Sequence, residues 1–206
     1  MNELFERYPA LAGCRKDIES ALAMLTECFR TGGKLLLCGN GGSAADCEHI
    51  VGELMKGFLK KRPIPTDVRG KIAAQGEGTE ALASLLQGAL PAISLPHQSA
   101  LISAFSNDVA ADAVYAQMVY GYGRKGDVLW CISTSGNARN AVLAAQVARA
   151  IGMRVLSLTG ERESALSRIS DVTVRVPERE TFKVQELHLP VYHALCAALE
   201  NTFFEV

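Results

Sequence analysis

The residues best equipped for chemistry fall in three short stretches. The first is Gly39-Asn40-Gly41-Gly42-Ser43, followed by His49 and Glu53. His49 and Glu53 are four apart, so a helix places them on one face. There an imidazole and a carboxylate can hold a metal or move a proton. The second stretch is Ser133-Thr134-Ser135-Gly136-Asn137. Three consecutive hydroxyls before Gly-Asn exceed what a helix cap needs. With free N–H groups at a helix start, they suit the oxygens of a phosphate monoester. The third holds Gln185, Glu186, His188 and His193. Gln185 and His193 are eight apart, about 80° on a helical wheel. Two imidazoles, a carboxylate and an amide drawn from these stretches would make a donor set for zinc or another divalent ion. The competing reading makes His49–Glu53 a solvated surface pair and His188 and His193 ordinary core or surface residues.

These stretches need a scaffold, and the apolar pattern supplies one. Lys34–Cys38 is a short apolar run that reads as a buried strand, and a helix is expected from Ala44 through Glu53. Strands are expected at Leu90–Leu95, Val128–Ile132, Arg154–Leu158 and, at a sheet edge, Asp171–Val176. Helices are expected at Glu3–Arg30 (with Pro9 splitting off a short first piece), Ser99–Phe105, Ala110–Tyr122, Ala138–Ile151, Ser164–Ile169 and Val184–Phe204. Pro190 removes one bond inside the last of these. Alternating helices and uniformly apolar strands predict an α/β fold, a three-layer αβα sandwich around a five-stranded parallel sheet. One domain is expected over residues 1–206, with an N-terminal helical segment at 1–33 and an inserted loop and helix at 60–89. Thr79 is the expected N-cap for Glu80–Leu86 within that insertion.

In a doubly wound sheet, ligands bind beyond the carboxyl ends of the strands, where both hydroxyl-rich turns fall. The first turn also fits a loose dinucleotide-binding pattern, Gly39-x-Gly41-x-x-Ala44. The acidic strand end which that pattern requires would fall at Leu59–Arg62, where no strand is expected.

Bulk composition narrows the classes further. A net charge of −1 argues against a nucleic-acid or anionic-membrane surface. No apolar run approaches the roughly 20 residues that span a bilayer, and the first residues show no signal-peptide pattern. The six cysteines are scattered without a CxxC pair, as expected of buried reduced thiols in a cytoplasmic protein.

The motifs together resemble the SIS (sugar isomerase) domain, of the bacterial phosphoheptose isomerase (sedoheptulose 7-phosphate isomerase) type. The likeness rests on Leu36–Glu53, Ser106-Asn107-Asp108, Gly126–Asn137, Leu158-Thr159-Gly160, Arg175-Val176-Pro177 and Val184–His193. It covers nearly the whole chain outside Pro63–Gly88 and implies a flavodoxin-like fold. It also implies that His49, Glu53, Gln185 and His193 ligate one zinc per subunit. Glu53 and His193 would be the acid/base pair of an aldose–ketose isomerisation through an enediol(ate). Ser133, Thr134 and Ser135 would bind phosphate, while Asn40, Gly41, Gly42, Ser43, Asn107, Asp108 and Gln185 would line the sugar. A homotetramer with active sites between subunits is implied as well. The chain departs from the family at Ala138 (a serine there), Gly57 (an arginine), Phe182-Lys183 (an Asp-Arg pair) and in the length of 63–88. A second reading is a non-catalytic SIS protein that senses a sugar phosphate or binds the replication initiator. Retention of Glu53 and of the Ser133–Asn137 turn favours the enzyme.

Overall fold

The structure is a computed structural model and describes residues 1–204. Five parallel strands form its centre: β1 (Leu35–Cys38), β2 (Ala92–Ser94), β3 (Val128–Ile132), β4 (Arg154–Thr159) and β5 (Val172–Arg175), in the order β2-β1-β3-β4-β5. Central β1 and β3 are buried along their whole length, which is why they read as continuous apolar runs. Their side chains alternate between two cores. Leu35, Leu37, Val128, Trp130 and Ile132 face one, and Leu36, Cys38, Leu129 and Cys131 the other.

The first core is covered by α1 (Asn2–Arg7), α2 (Arg15–Arg30), α3 (Gly42–Met55) and α10 (Thr181–Phe203). A 3-10 turn at Pro9–Cys14 divides α1 from α2, as Pro9 predicts. The helices α4 (Thr66–Ala73) and α5 (Thr79–Leu85) stand outside both cores, with only Ala83 buried between them. The second core is covered by α7 (Val114–Tyr122) and α8 (Arg139–Ala150), reached through α6 (Ser99–Phe105), and by α9 (Ala165–Ile169). Ala141, Ala144, Ala145 and Ala148 make the buried stripe of α8, and their small side chains let it lie close to α7 and the sheet.

Three expectations change. The insertion is a two-helix excursion, because Pro65 opens α4 where a loop was expected. Its base is closed by the antiparallel bridge Pro63–Gln87 and by Gly88 N–H donating to the Arg62 carbonyl at 2.6 Å. Thr79 lies inside α5 and Gly78 is the cap, since the Thr79 hydroxyl turns back to the Ala73 and Gly76 carbonyls. The stretch from Ser106 to Ala113 is a π turn and a 3-10 turn rather than the start of α7. Elsewhere α10 runs through Pro190 and begins three residues earlier than expected. All six cysteines are buried and free, and among the described residues no helix is long and apolar enough to cross a membrane.

Candidate functional site

In the order β2-β1-β3-β4-β5 the chain turns one way from β1 and the other way from β3, so a crevice opens between the carboxyl ends of these two strands. Both hydroxyl-rich turns lie there. Asn40 of the first turn and Asn140 at the start of α8 are joined by two reciprocal amide hydrogen bonds of 3.0 and 2.9 Å, and the Tyr115 hydroxyl donates to the Gly39 carbonyl at 2.7 Å. Ser43 is buried in the first turn of α3.

The second turn is held by its backbone. Ser133 N–H donates to Leu158, Gly136 N–H to Ser133, and Gly160 N–H to the Thr134 carbonyl. Asn137 accepts from Ala165 N–H at 2.9 Å, which docks α9 on the turn. The hydroxyls of Ser133 and Thr134 enter none of these bonds. Asn107 and Asp108 sit on the π turn after α6 and bond to each other at 2.8 Å.

The titratable cluster stands elsewhere, between α3 and α10. Its centre is His49, half-exposed, whose Nε2 lies 3.2 Å from Glu53 Oε1 and 3.4 Å from His193 Nε2. Glu53 is nearly buried, and its second oxygen is 3.5 Å from Lys56 Nζ. The Tyr192 hydroxyl touches both His49 Nδ1 and Asp46 Oδ1 at 3.1 Å. Burial lowers the pKa of His193, repulsion from His49 adds to this, and Glu53 opposes it. His193 is therefore a neutral imidazole near pH 7 and can accept a proton.

Gln185 is not part of this cluster within the chain. Its amide packs on Gly42, in the place a Cβ would occupy. Seven residues of α3 separate Gly42 from His49, about 10 Å at 1.5 Å per residue. His188 faces inward and is fully buried beside the Thr159 main chain. The His49 pair distances match the spacing of neighbouring ligands around a tetrahedral ion with bonds of about 2.0–2.1 Å. Even so, among the described residues no group of three or more His, Cys, Asp or Glu side chains is closed enough to hold a metal within one chain.

The SIS domain family matches residues 10–83 and 72–160. The phosphoheptose isomerase of Rhodospirillum rubrum is 34% identical over 191 residues, 93% of this chain and 88% of that protein. The chain belongs to the SIS domain family. The phosphoheptose isomerase of Akkermansia muciniphila is 32% identical over 199 residues, covering 97% of this chain and 92% of the relative. The solved phosphoheptose isomerase of Neisseria gonorrhoeae superposes with a TM-score of 0.74 at 29% identity, covering 97% and 96% of the two chains.

One departure from the SIS isomerase pattern gains a local explanation. Gly57 lies in a sharp reversal where a Cβ would stand 2.5 Å from the Lys60 carbonyl oxygen and 3.0 Å from Gln87 Oε1, so a larger side chain is excluded. Lys56, its neighbour, puts a cation beside Glu53. Ala138 is the extended residue before α8 and offers no side-chain cap. Nothing in the structure explains Phe182, which is half-exposed in the first turn of α10.

Sequence reasoning missed the supports of the site. Asp46 and Tyr192 are sequence neighbours of His49 and His193, and that adjacency was the signal. Arg62 and Glu200 carry no such signal, being 138 residues apart.

Proposed function

We infer that this protein is a sugar-phosphate aldose–ketose isomerase of the phosphoheptose isomerase type, converting sedoheptulose 7-phosphate to an aldose heptose 7-phosphate. One observation carries the reading. Glu53 and His193, from distant parts of the chain, converge on His49, in a protein 34% identical to a phosphoheptose isomerase.

The chemistry follows from the groups. Moving a carbonyl from C2 to C1 takes a proton from C1 and returns one to C2. The Glu53 carboxylate removes the C1 proton, leaving an enediol(ate), and delivers it to C2. His193, neutral and able to accept, carries the proton from the C1 hydroxyl to the C2 oxygen. The Ser133, Thr134 and Ser135 hydroxyls, with the N–H groups before α8, hold the phosphate and fix the sugar in register. Asn40, Gly41, Gly42, Ser43, Asn107 and Asp108 line the sugar.

The donor set of His49, Glu53 and His193, completed by Gln185, suits zinc, which when bound would stabilise charge on the enediolate oxygens. The Gln185 amide, packed on Gly42, stands about 10 Å along α3 from His49 within one chain, which supports an assembly of facing subunits. A cavity of about 590 Å³ beside His193, lined by Leu189, Pro190, Ala194, Ala197 and Phe58, adds to that support. We place the enzyme in the cytoplasm as a homotetramer.

The test is turnover against phosphorylated five-, six- and seven-carbon ketoses. The seven-carbon substrate is expected to be converted, and Glu53→Gln to lower kcat by about 10²–10⁴ while leaving the fold intact. No turnover of any of them would replace this reading with a non-catalytic, sugar-phosphate-binding or initiator-binding one. Normal turnover by Glu53→Gln would remove Glu53 from its role.

A further inference from the structure

We propose that Asp46 and Tyr192 form a positioning relay that sets the tautomer of His49 and leaves its Nε2 lone pair free for a cation. The inference rests on the metal reading above and adds to it two residues which that reading does not use.

Tyr192 is buried and has one hydroxyl hydrogen, and its oxygen lies 3.1 Å from both Asp46 Oδ1 and His49 Nδ1. Among the described residues Asp46 has no other side-chain partner, and its Oδ2 is buried without a hydrogen bond. If Tyr192 donated to His49, both oxygens of this carboxylate would be unpaired, one of them against a phenol lone pair. An unsatisfied buried charge of that kind is costly. The hydroxyl therefore donates to Asp46, and its oxygen accepts from His49. A hydrogen on Nδ1 makes a neutral His49 the Nε2-bare tautomer.

The consequence appears on the other side of the ring. His49 Nε2 is 3.2 Å from Glu53 Oε1; with the ring neutral and its hydrogen on Nδ1 this is a contact between two acceptors, relieved by a proton or a cation on Nε2. His193 Nε2 is 3.4 Å from the same nitrogen. A cation shared by these atoms turns repulsion into ligation. A carboxylate acting through a second group on a ligating imidazole is a recurring way of fixing its orientation and raising its basicity. Here the phenol of Tyr192 is interposed, and its ring packs edge-on against both His49 and His193, with centroids 5.5 and 4.9 Å away.

Tyr192→Phe tests the relay, since it removes one oxygen and keeps the packing. In the metal-free wild type, the nitrogen NMR shifts of His49 should show Nδ1 protonated and Nε2 bare. In Tyr192→Phe and Asp46→Asn that preference should weaken, and zinc affinity, measured by competition with a chromogenic chelator, should fall about 10–100-fold. A hydrogen on Nε2 in the wild type would overturn the relay. So would a Tyr192→Phe protein with unchanged tautomer and unchanged zinc affinity. An Nδ1–H wild type that binds no zinc would remove the metal reading and leave tautomer control standing.

Discussion

His188 shows how a candidate residue can resolve into a structural one with a measurable signature. It shares a helix with Gln185 and His193, yet it points into the core, and burial pushes its pKa from 6.5 down to about 4. The Thr159 main chain opposes that shift. Between those two pH values the unfolded chain binds a proton that the native state refuses, so stability rises with pH across this range. The contribution is complete above about pH 6.5 and is lost as pH falls toward about 4. Urea unfolding at pH 7 and pH 5 should show about 2 kcal/mol of loss from this group. His188→Leu should flatten that slope. An unchanged slope would show that another group carries the acid sensitivity.

At the scale of elements, the segment after α3 matters most. Glu200 of α10 is fully buried and accepts from Phe58 N–H and Leu59 N–H at 2.8 Å and from Arg62 Nε at 2.7 Å. Burial raises its pKa, but these donors outweigh burial and hold it below the usual carboxylate value. Arg62 also donates to the Leu54 and Glu53 carbonyls at 2.8 and 2.9 Å, capping the last turn of α3 with a positive charge. One ion pair thus ties the end of α3, which carries Glu53, to α10, which carries His193. Glu200→Ala leaves Arg62 and two backbone donors without that partner and should cost about 3–5 kcal/mol. The double replacement Arg62→Met/Glu200→Leu should cost less than the single one, because no charge is stranded. Urea midpoints of the three proteins decide this, and a loss under about 1 kcal/mol for Glu200→Ala would refute it.

The whole molecule presents two partial sites. The turn proposed to hold the phosphate opens at the crevice between β1 and β3, and the His49–Glu53–His193 cluster lies between α3 and α10, with His49 about 10 Å along α3 from Gly42. Light scattering is expected to give four times the 22.1 kDa chain mass. Glu53→Gln mixed with Ser133→Ala, after dissociation and reassembly, should recover part of the activity each lacks alone, because one interface then joins two intact halves. A monomeric protein, or no recovery on mixing, would place the whole site within one chain.

Local pattern was enough to determine much of this. Buried parallel strands are apolar on both faces, so β1 and β3 announced themselves as unbroken runs, and the hydroxyl-rich turns followed each of them directly. The i, i+4 spacing put His49 and Glu53 on one face of α3 without reference to anything else. The helix α4 escaped notice because it follows Pro63 and Pro65 and buries no residue, leaving no apolar periodicity to read. What the tertiary structure alone decided is which distant groups meet. Helical spacing placed Gln185 and His193 near one face of α10, yet packing sent the Gln185 amide to Gly42 and His193 to His49. The Tyr192–Asp46 and Arg62–Glu200 contacts span 146 and 138 residues. No local propensity encodes such pairs, because they depend on how α3 and α10 come to lie on the same side of the sheet.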